Sequence, residues 1–194
     1  MRHILGLALF LSAAAYIHAQ VPISVGVQIL KAEDARRYDS VLENLMSSPN
    51  ADIRARAALA VGRIGDSSSL SVLARLLEND ADIRVRSMAA FAIGETESIH
   101  GAEAVLAGLK REGATKSLAD TANPYARLVE AAGKIAAANS KDPKAKQLGA
   151  AILDVLRAGP SDVLAVRLAL TAALRARPDG GGSGGSKVYR PREC

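Results

Sequence analysis

Ile53-Arg54-Ala55-Arg56-Ala57-Ala58-Leu59-Ala60-Val61-Gly62-Arg63-Ile64-Gly65-Asp66 decides the fold, because it returns in altered form as Val85-Arg86-Ser87-Met88-Ala89-Ala90-Phe91-Ala92-Ile93-Gly94-Glu95-Thr96. Setting Arg54 on Arg86 fixes the period, and it superposes Ala57 on Ala89, Ala60 on Ala92, Val61 on Ile93 and Gly62 on Gly94. The shorter register that pairs the two Ala-Asp-Ile-Arg strings misplaces both glycines. A period of 32 residues, with one helix pair per copy, predicts a stacked solenoid.

Composition agrees with an all-helical chain. The sequence has 194 residues, 49% hydrophobic and 23% charged, but only 3% aromatic, and it has no Trp. Alanine and leucine, the strongest helix formers, dominate, and alternating β-branched runs are missing.

Working outward from the repeat, apolar spacings of three and four residues predict further helices. A helix over about 32–46 carries Ala35, Tyr38, Leu42 and Leu45 on one face, and Ser47-Ser48-Pro49-Asn50 ends it, since proline cannot continue the hydrogen-bond ladder. Ile53, Ala57, Val61 and Ile64 form the buried stripe of the second helix, which Gly65-Asp66 closes. The small alanines there allow two helices to approach closely. Ser67 to Ser69 supply capping hydroxyls, and Leu70, Leu73, Leu76 and Leu77 face inward from the next helix. Asn79-Asp80 turns the chain into 82–95.

A third pair starts near Ser98 with Ala102, Val105, Leu106 and Leu109 on one face. The interval from Arg86 to Arg127 is longer than that from Arg54 to Arg86, which places an insertion over 113–122, with helix resuming at Asn123-Pro124. Insertions of this kind are where binding differs between stacked repeats, or simple slack. Gly133-Lys134-Ile135 echoes Gly62-Arg63-Ile64. The fourth pair uses Ala145, Leu148, Ile152, Val155 and Leu156, stops at Gly159-Pro160, and continues from Ser161 to about Arg177, with Asp162 in the first turn and Val166-Arg167 matching Ile53-Arg54.

The ends differ in character. Arg2 and His3 precede an apolar run, Ile4 to Ala15, and Ile17-His18-Ala19 offers a small residue at a cleavage position. Such a run is too short to span a bilayer and reads as a secretory signal peptide over 1–19, which places the mature chain outside the cytoplasm, periplasmic or extracellular. Residues 20–30 then form an N-terminal extension, 31–177 the repeats, and 178–194 a flexible tail built on Asp179-Gly180-Gly181-Gly182-Ser183-Gly184-Gly185-Ser186. The single cysteine, Cys194, is the last residue and cannot form an intrachain disulfide.

The pattern Val/Ile-Arg, paired alanines, then hydrophobe-Gly-x-Ile-Gly-Asp at 53–66, with the Asn79-Asp80-Ala81-Asp82 turn, resembles HEAT-like repeats of the phycobilisome-lyase class. The likeness covers about Lys31 to Arg177 and is strongest in the first two pairs. It implies an α-solenoid of about four helix pairs whose second helices line a concave face that holds a protein partner, without enzymatic activity. It also implies two other readings. Exported chains of this appearance sometimes place such repeats ahead of a cyclophilin-type prolyl isomerase domain, so one reading is the scaffold portion of such an exported enzyme with its catalytic domain missing, the stretch after Arg177 being short and linker-like. Lyase-type members hold a tetrapyrrole.

Candidate chemistry is sparse. Arg54, Arg86, Arg127 and Arg167 recur near the starts of second helices and stack into a ladder, with Arg56 beside them. Each guanidinium either bridges the acidic turn of its own or a neighbouring repeat, through Asp52, Asp82 or Asp162, or anchors an acidic partner. A net charge of +5 is modest, part of it lies at the termini, and the lack of aromatics removes a stacking platform, which argues against nucleic acid. After signal removal only His100 remains, so no His or Cys pair stands at metal-ligand spacing, no base serves a serine nucleophile, and no cofactor is implied. Glu33-Asp34 and Glu95/Glu97 read as solvated acids at helix ends, and Gly180-x-Gly182-x-x-Gly185 follows no strand and is accidental.

Overall fold

The computed structural model describes residues 21–112, 124–158, 167 and 170–174. The expected signal peptide, the insertion at 113–122, Asp162, the tail and Cys194 lie outside these residues. The described helices are α1 (Ile23–Asp34), α2 (Ser40–Met46), α3 (Ala51–Ile64), α4 (Leu70–Asn79), α5 (Ile83–Glu95), α6 (Ala102–Glu112), α7 (Pro124–Ala138) and α8 (Pro143–Arg157). Residues 170–174 are also helical, and no strand occurs among the described residues. The chain is an α-solenoid: α2/α3, α4/α5 and α6/α7 are successive pairs, and α8 opens a fourth whose second helix contains 170–174.

Short side chains set the ends of these elements. Asn50 and Asp82 cap α3 and α5, their side chains accepting from the backbone N–H of Asp52 and Arg84 at 2.8 Å, and Asp142 does the same for Lys144 at the start of α8. Gly65 ends α3 in the left-handed region at φ 76°, where its N–H reaches the Val61 carbonyl. The serines of 67–69 do not cap α4 as expected. Asp66 caps a 3-10 turn instead, accepting from Ser68 N–H, while the Ser69 hydroxyl donates to the Asp66 carbonyl.

The expected helix over 32–46 is two helices. Arg36 takes a positive φ of 47°, and Asp39 begins α2 by accepting from the N–H groups of Val41 and Leu42. An Asp followed by Ser and an apolar pair was the sign of a new N-terminus. The preceding helix extends back to Ile23, so α1 crosses the boundary expected at 30/31, burying Ile29 and Ala32 in the same core as the repeats.

First helices bring leucines and other large side chains to the core, while second helices combine large ones such as Ile93, Leu128 and Ile135 with a run of buried alanines and glycines. Leu42, Leu73, Val105, Leu148 and Ile152 are fully buried from the first helices. In α3, Ala57, Ala58, Ala60, Val61 and Gly62 are all buried, because a second helix packs on its partner and on the second helices before and after it. The closest approach lies at the glycines. A Cβ on Gly62 would stand 2.8 Å from Ala92 Cα, one on Gly94 2.8 Å from Ala131 Cα, and one on Gly133 2.6 Å from Ala172 Cα. The alanines of α3 are buried as expected, but this glycine seam between successive second helices holds the layers together.

The seam also corrects the register. Gly62, Gly94 and Gly133 are equivalent, as are Ala92, Ala131 and Ala172. The offset between repeats two and three is therefore the interval from Gly94 to Gly133, which is shorter than the expected interval from Arg86 to Arg127. Tyr125 takes the place of Arg54 and Arg86, and Arg127 is equivalent to Arg56 and Met88. By the same seam Arg167 falls one residue beyond the Arg54 position.

Candidate interaction face

Arg54 and Arg86 share one geometry, at the edge of the stack where first helix turns into second. Arg54 Nη1 donates to the carbonyls of Ser48 and Pro49 in the turn before it, while Nε and Nη2 grip both oxygens of Asp80 in the following repeat at 2.7 and 2.8 Å. Arg86 Nη1 reaches the carbonyls of Asp80 and Ala81 at the same spacing, and its Nε lies 3.5 Å from Glu112 of the next first helix. Glu112 stands where Asp80 stands, one repeat on. Each arginine thus ties its own turn to an acid of the following repeat, and the planar fork suits this double task. The acids are Asp80 and Glu112 rather than Asp52 and Asp82, which are joined instead by Arg84.

Burial alone would raise the Asp80 carboxyl, but Arg54 and the Asp82 N–H overcome it and hold the group below its ordinary value. With 5% of the Asp80 side chain exposed, the pair is a structural clasp with little surface left for a partner.

The outward face of the second helices is organised differently. Equivalent positions line up across α3, α5 and α7: Arg56, Met88 and Arg127 in one row; Leu59, Phe91 and Glu130 in the next; Arg63, Glu95 and Lys134 in the third. Phe91 is half-buried at the centre, with Arg127 at 5.4 Å and Lys134 at 5.2 Å from its ring centroid, within cation–π range. Glu130 accepts from Arg127 at 2.9 Å and from Lys134 at 2.7 Å, and Lys134 also pairs with Glu95. Burial raises the Glu130 carboxyl, yet the bonds from Lys134 and Arg127 leave it lowered overall. Lys134, which burial alone would push down, is raised by Glu130 and Glu95.

On α3, Arg56 makes a two-point contact with Glu33 of α1 at 2.9 and 2.8 Å, and Arg63 joins the same carboxylate at 3.2 Å. Glu33 is therefore no solvated acid. The Arg56 hydrogen bond leads the forces that hold its carboxyl low. Of the expected ladder, Arg54 and Arg86 lie together at the turn edge, Arg56 and Arg127 lie on the second-helix face, and Arg167 is exposed on the last described helix. Sequence reasoning missed Phe91, Met88, Glu130 and Lys134. The available signal was an aromatic, rare in this chain, at a position where the equivalent residues are Leu59 and Glu130.

His100 sits exposed in the 3-10 turn Ile99–Gly101. Among the described residues no group of three or more His, Cys, Asp and Glu is placed to hold a metal ion, and no helix is long and apolar enough to cross a membrane. No curated protein and no solved structure matches the chain significantly. Residues 38–119 match the family model described as HEAT repeats, a likeness that agrees with the stacked helix pairs.

Proposed function

We propose that this protein is a non-enzymatic, exported scaffold that holds a protein partner on the concave face formed by α3, α5 and α7, with Phe91 and Met88 as the contact centre. The observation that carries the reading is the setting of Phe91: a half-buried aromatic ringed by Arg127, Lys134, Glu95 and Glu130, which are paired with one another. An apolar centre inside a polar rim is how protein interfaces concentrate binding energy. Because the rim cations already have carboxylate partners, the face favours apolar or aromatic anchors over a purely acidic ligand, which moves the emphasis from the arginines to the ring they frame.

Curvature supports the same face. Backbones pressed together at Gly62, Gly94 and Gly133 draw the second helices close, while successive first helices pack on one another less closely, an asymmetry that favours bending toward α3, α5 and α7. The apolar run Ile4 to Ala15 supports export. A photo-crosslinking residue at Met88 in the producing cell tests the reading. It should capture one defined protein, Phe91→Ala should abolish the capture, and the same probe at Gln147 on the outer helix α8 should capture nothing. Equal capture at both positions, or capture indifferent to Phe91→Ala, would refute it.

A further inference from the structure

Among the described residues, seven large hydrophobic side chains are exposed, and five of them stand at the two ends of the stack. Ile23, Val27 and Leu30 are 87%, 43% and 57% exposed on α1, spaced so that they share the side turned away from Ile29 and Ala32, which face the core. Leu170 and Leu174, one helical turn apart, are 49% and 76% exposed on the last helix, whose Ala172 is buried against Gly133. Among the described residues these are the first and last surfaces of a stack in which each second helix otherwise has a neighbour on either side.

A glycine marks one of the two ends. At Gly62, Gly94 and Gly133 a neighbouring alanine occupies the hole, and at Gly108 the occupant is a leucine, with Leu128 methyl carbons 2.8 and 3.0 Å from where a Cβ would stand. Gly26, in the first half of α1 beside Ile23 and Leu30, has nothing within 4 Å of that position. A helical glycine lowers helix stability and is accounted for in this chain wherever a neighbour needs the space. Here the space is open, and the far end of the described stack carries two exposed leucines.

We infer that copies of this chain associate head to tail, Leu170 and Leu174 of one copy seating on Gly26, Ile23, Val27 and Leu30 of the next. The contact continues the helix-on-helix stacking already repeated inside the chain, with the leucine-on-glycine fit of Leu128 and Gly108 as its pattern. It joins two different surfaces, so it is heterologous and grows open-ended rather than stopping at a dimer.

Sedimentation equilibrium of the full chain tests this with two variants. Gly26→Leu fills the hole without touching the monomer's own packing, so the fold should hold or gain thermal stability while self-association weakens tenfold or more. Leu174→Glu, at a side chain already exposed, should keep the helical circular dichroism and weaken association equally. Mixed, the two variants retain one sound interface between them and should form a 1:1 dimer that grows no further. A wild-type monomer at every concentration would overturn the inference. So would association that survives Leu174→Glu, as pairing through α1 alone or through residues 1–20 requires, or failure of the mixture to pair.

Discussion

The junction between α3 and α5 and the junction between α5 and α7 share a backbone seam and an arginine at the turn edge, and differ in the tightness of that clasp and in the charges on the helix face. Both place a glycine on an alanine, Gly62 on Ala92 and Gly94 on Ala131, with room for no Cβ between. The first is clasped at the turn edge by Arg54 on Asp80 and by Arg84 on Asp52. The second keeps a looser clasp at the turn edge, Arg86 on the Asp80 and Ala81 carbonyls and 3.5 Å from Glu112, and adds ions on the helix face around Phe91. Stacking therefore depends on backbone distance, a steric requirement with no substitute, whereas the ion pairs are interchangeable means of fixing orientation. The junction with the looser clasp and the added face charges is also the one that presents an aromatic.

Breaking the shared seam should have the largest effect. Gly94→Val forces a branched side chain against the Ala131 backbone, where no flexible tip can yield, and should cost about 3 kcal/mol by overpacking, read as a lowered denaturation midpoint in urea. Gly62→Val should behave alike, despite the different polar surroundings. A near-neutral result at either site would mean the layers have slack.

Removing the clasp comes next. Arg54→Ala leaves the buried Asp80 carboxylate and two turn carbonyls without their guanidinium and should destabilise by about 2 kcal/mol in the same assay. Tyr125→Arg asks the complementary question one junction further on, where the clasp arginine does not recur, and an unchanged midpoint would show that the clasp is needed only where an acid stands opposite.

Acid should loosen both junctions. Glu33, Asp80 and Glu130 are held below their ordinary values in the folded chain, so the stability they confer is present above the usual carboxylate range and is lost as pH falls through their depressed native values. Urea midpoints followed downward from neutral pH should stay level and then drop in that acidic window. Glu130→Gln should shallow the drop. The smallest effect belongs to Arg84→Ala, whose half-exposed pairs with Asp52 and Asp82 should be worth no more than about 0.5 kcal/mol in the same titration.

How much of this was legible beforehand divides along the same line. The helix pairs, the stripe Ile53, Ala57, Val61 and Ile64, and the turn at 47–50 follow from periodicity and breakers that act locally. The break at Arg36 was hidden because a single positive φ leaves no mark in an apolar pattern, although Asp39 announced the helix that follows. Aligning arginines set Arg127, rather than Tyr125, on Arg86 and so misplaced the third repeat. A surface guanidinium can reach its acid from several positions, while a glycine in contact with a backbone cannot move. The face around Phe91 was out of reach for a related reason, since it is assembled from helices far apart in the chain whose meeting depends on that register.

The register set by the glycines is thus the central claim, and zero-length carbodiimide crosslinking read by mass spectrometry tests it most directly. It predicts amide links between Lys134 and Glu95 and between Lys144 and Glu103, pairs held by ion contacts across successive repeats. Links from Lys134 to Glu33 or Asp52, two repeats away in the stack, would contradict it.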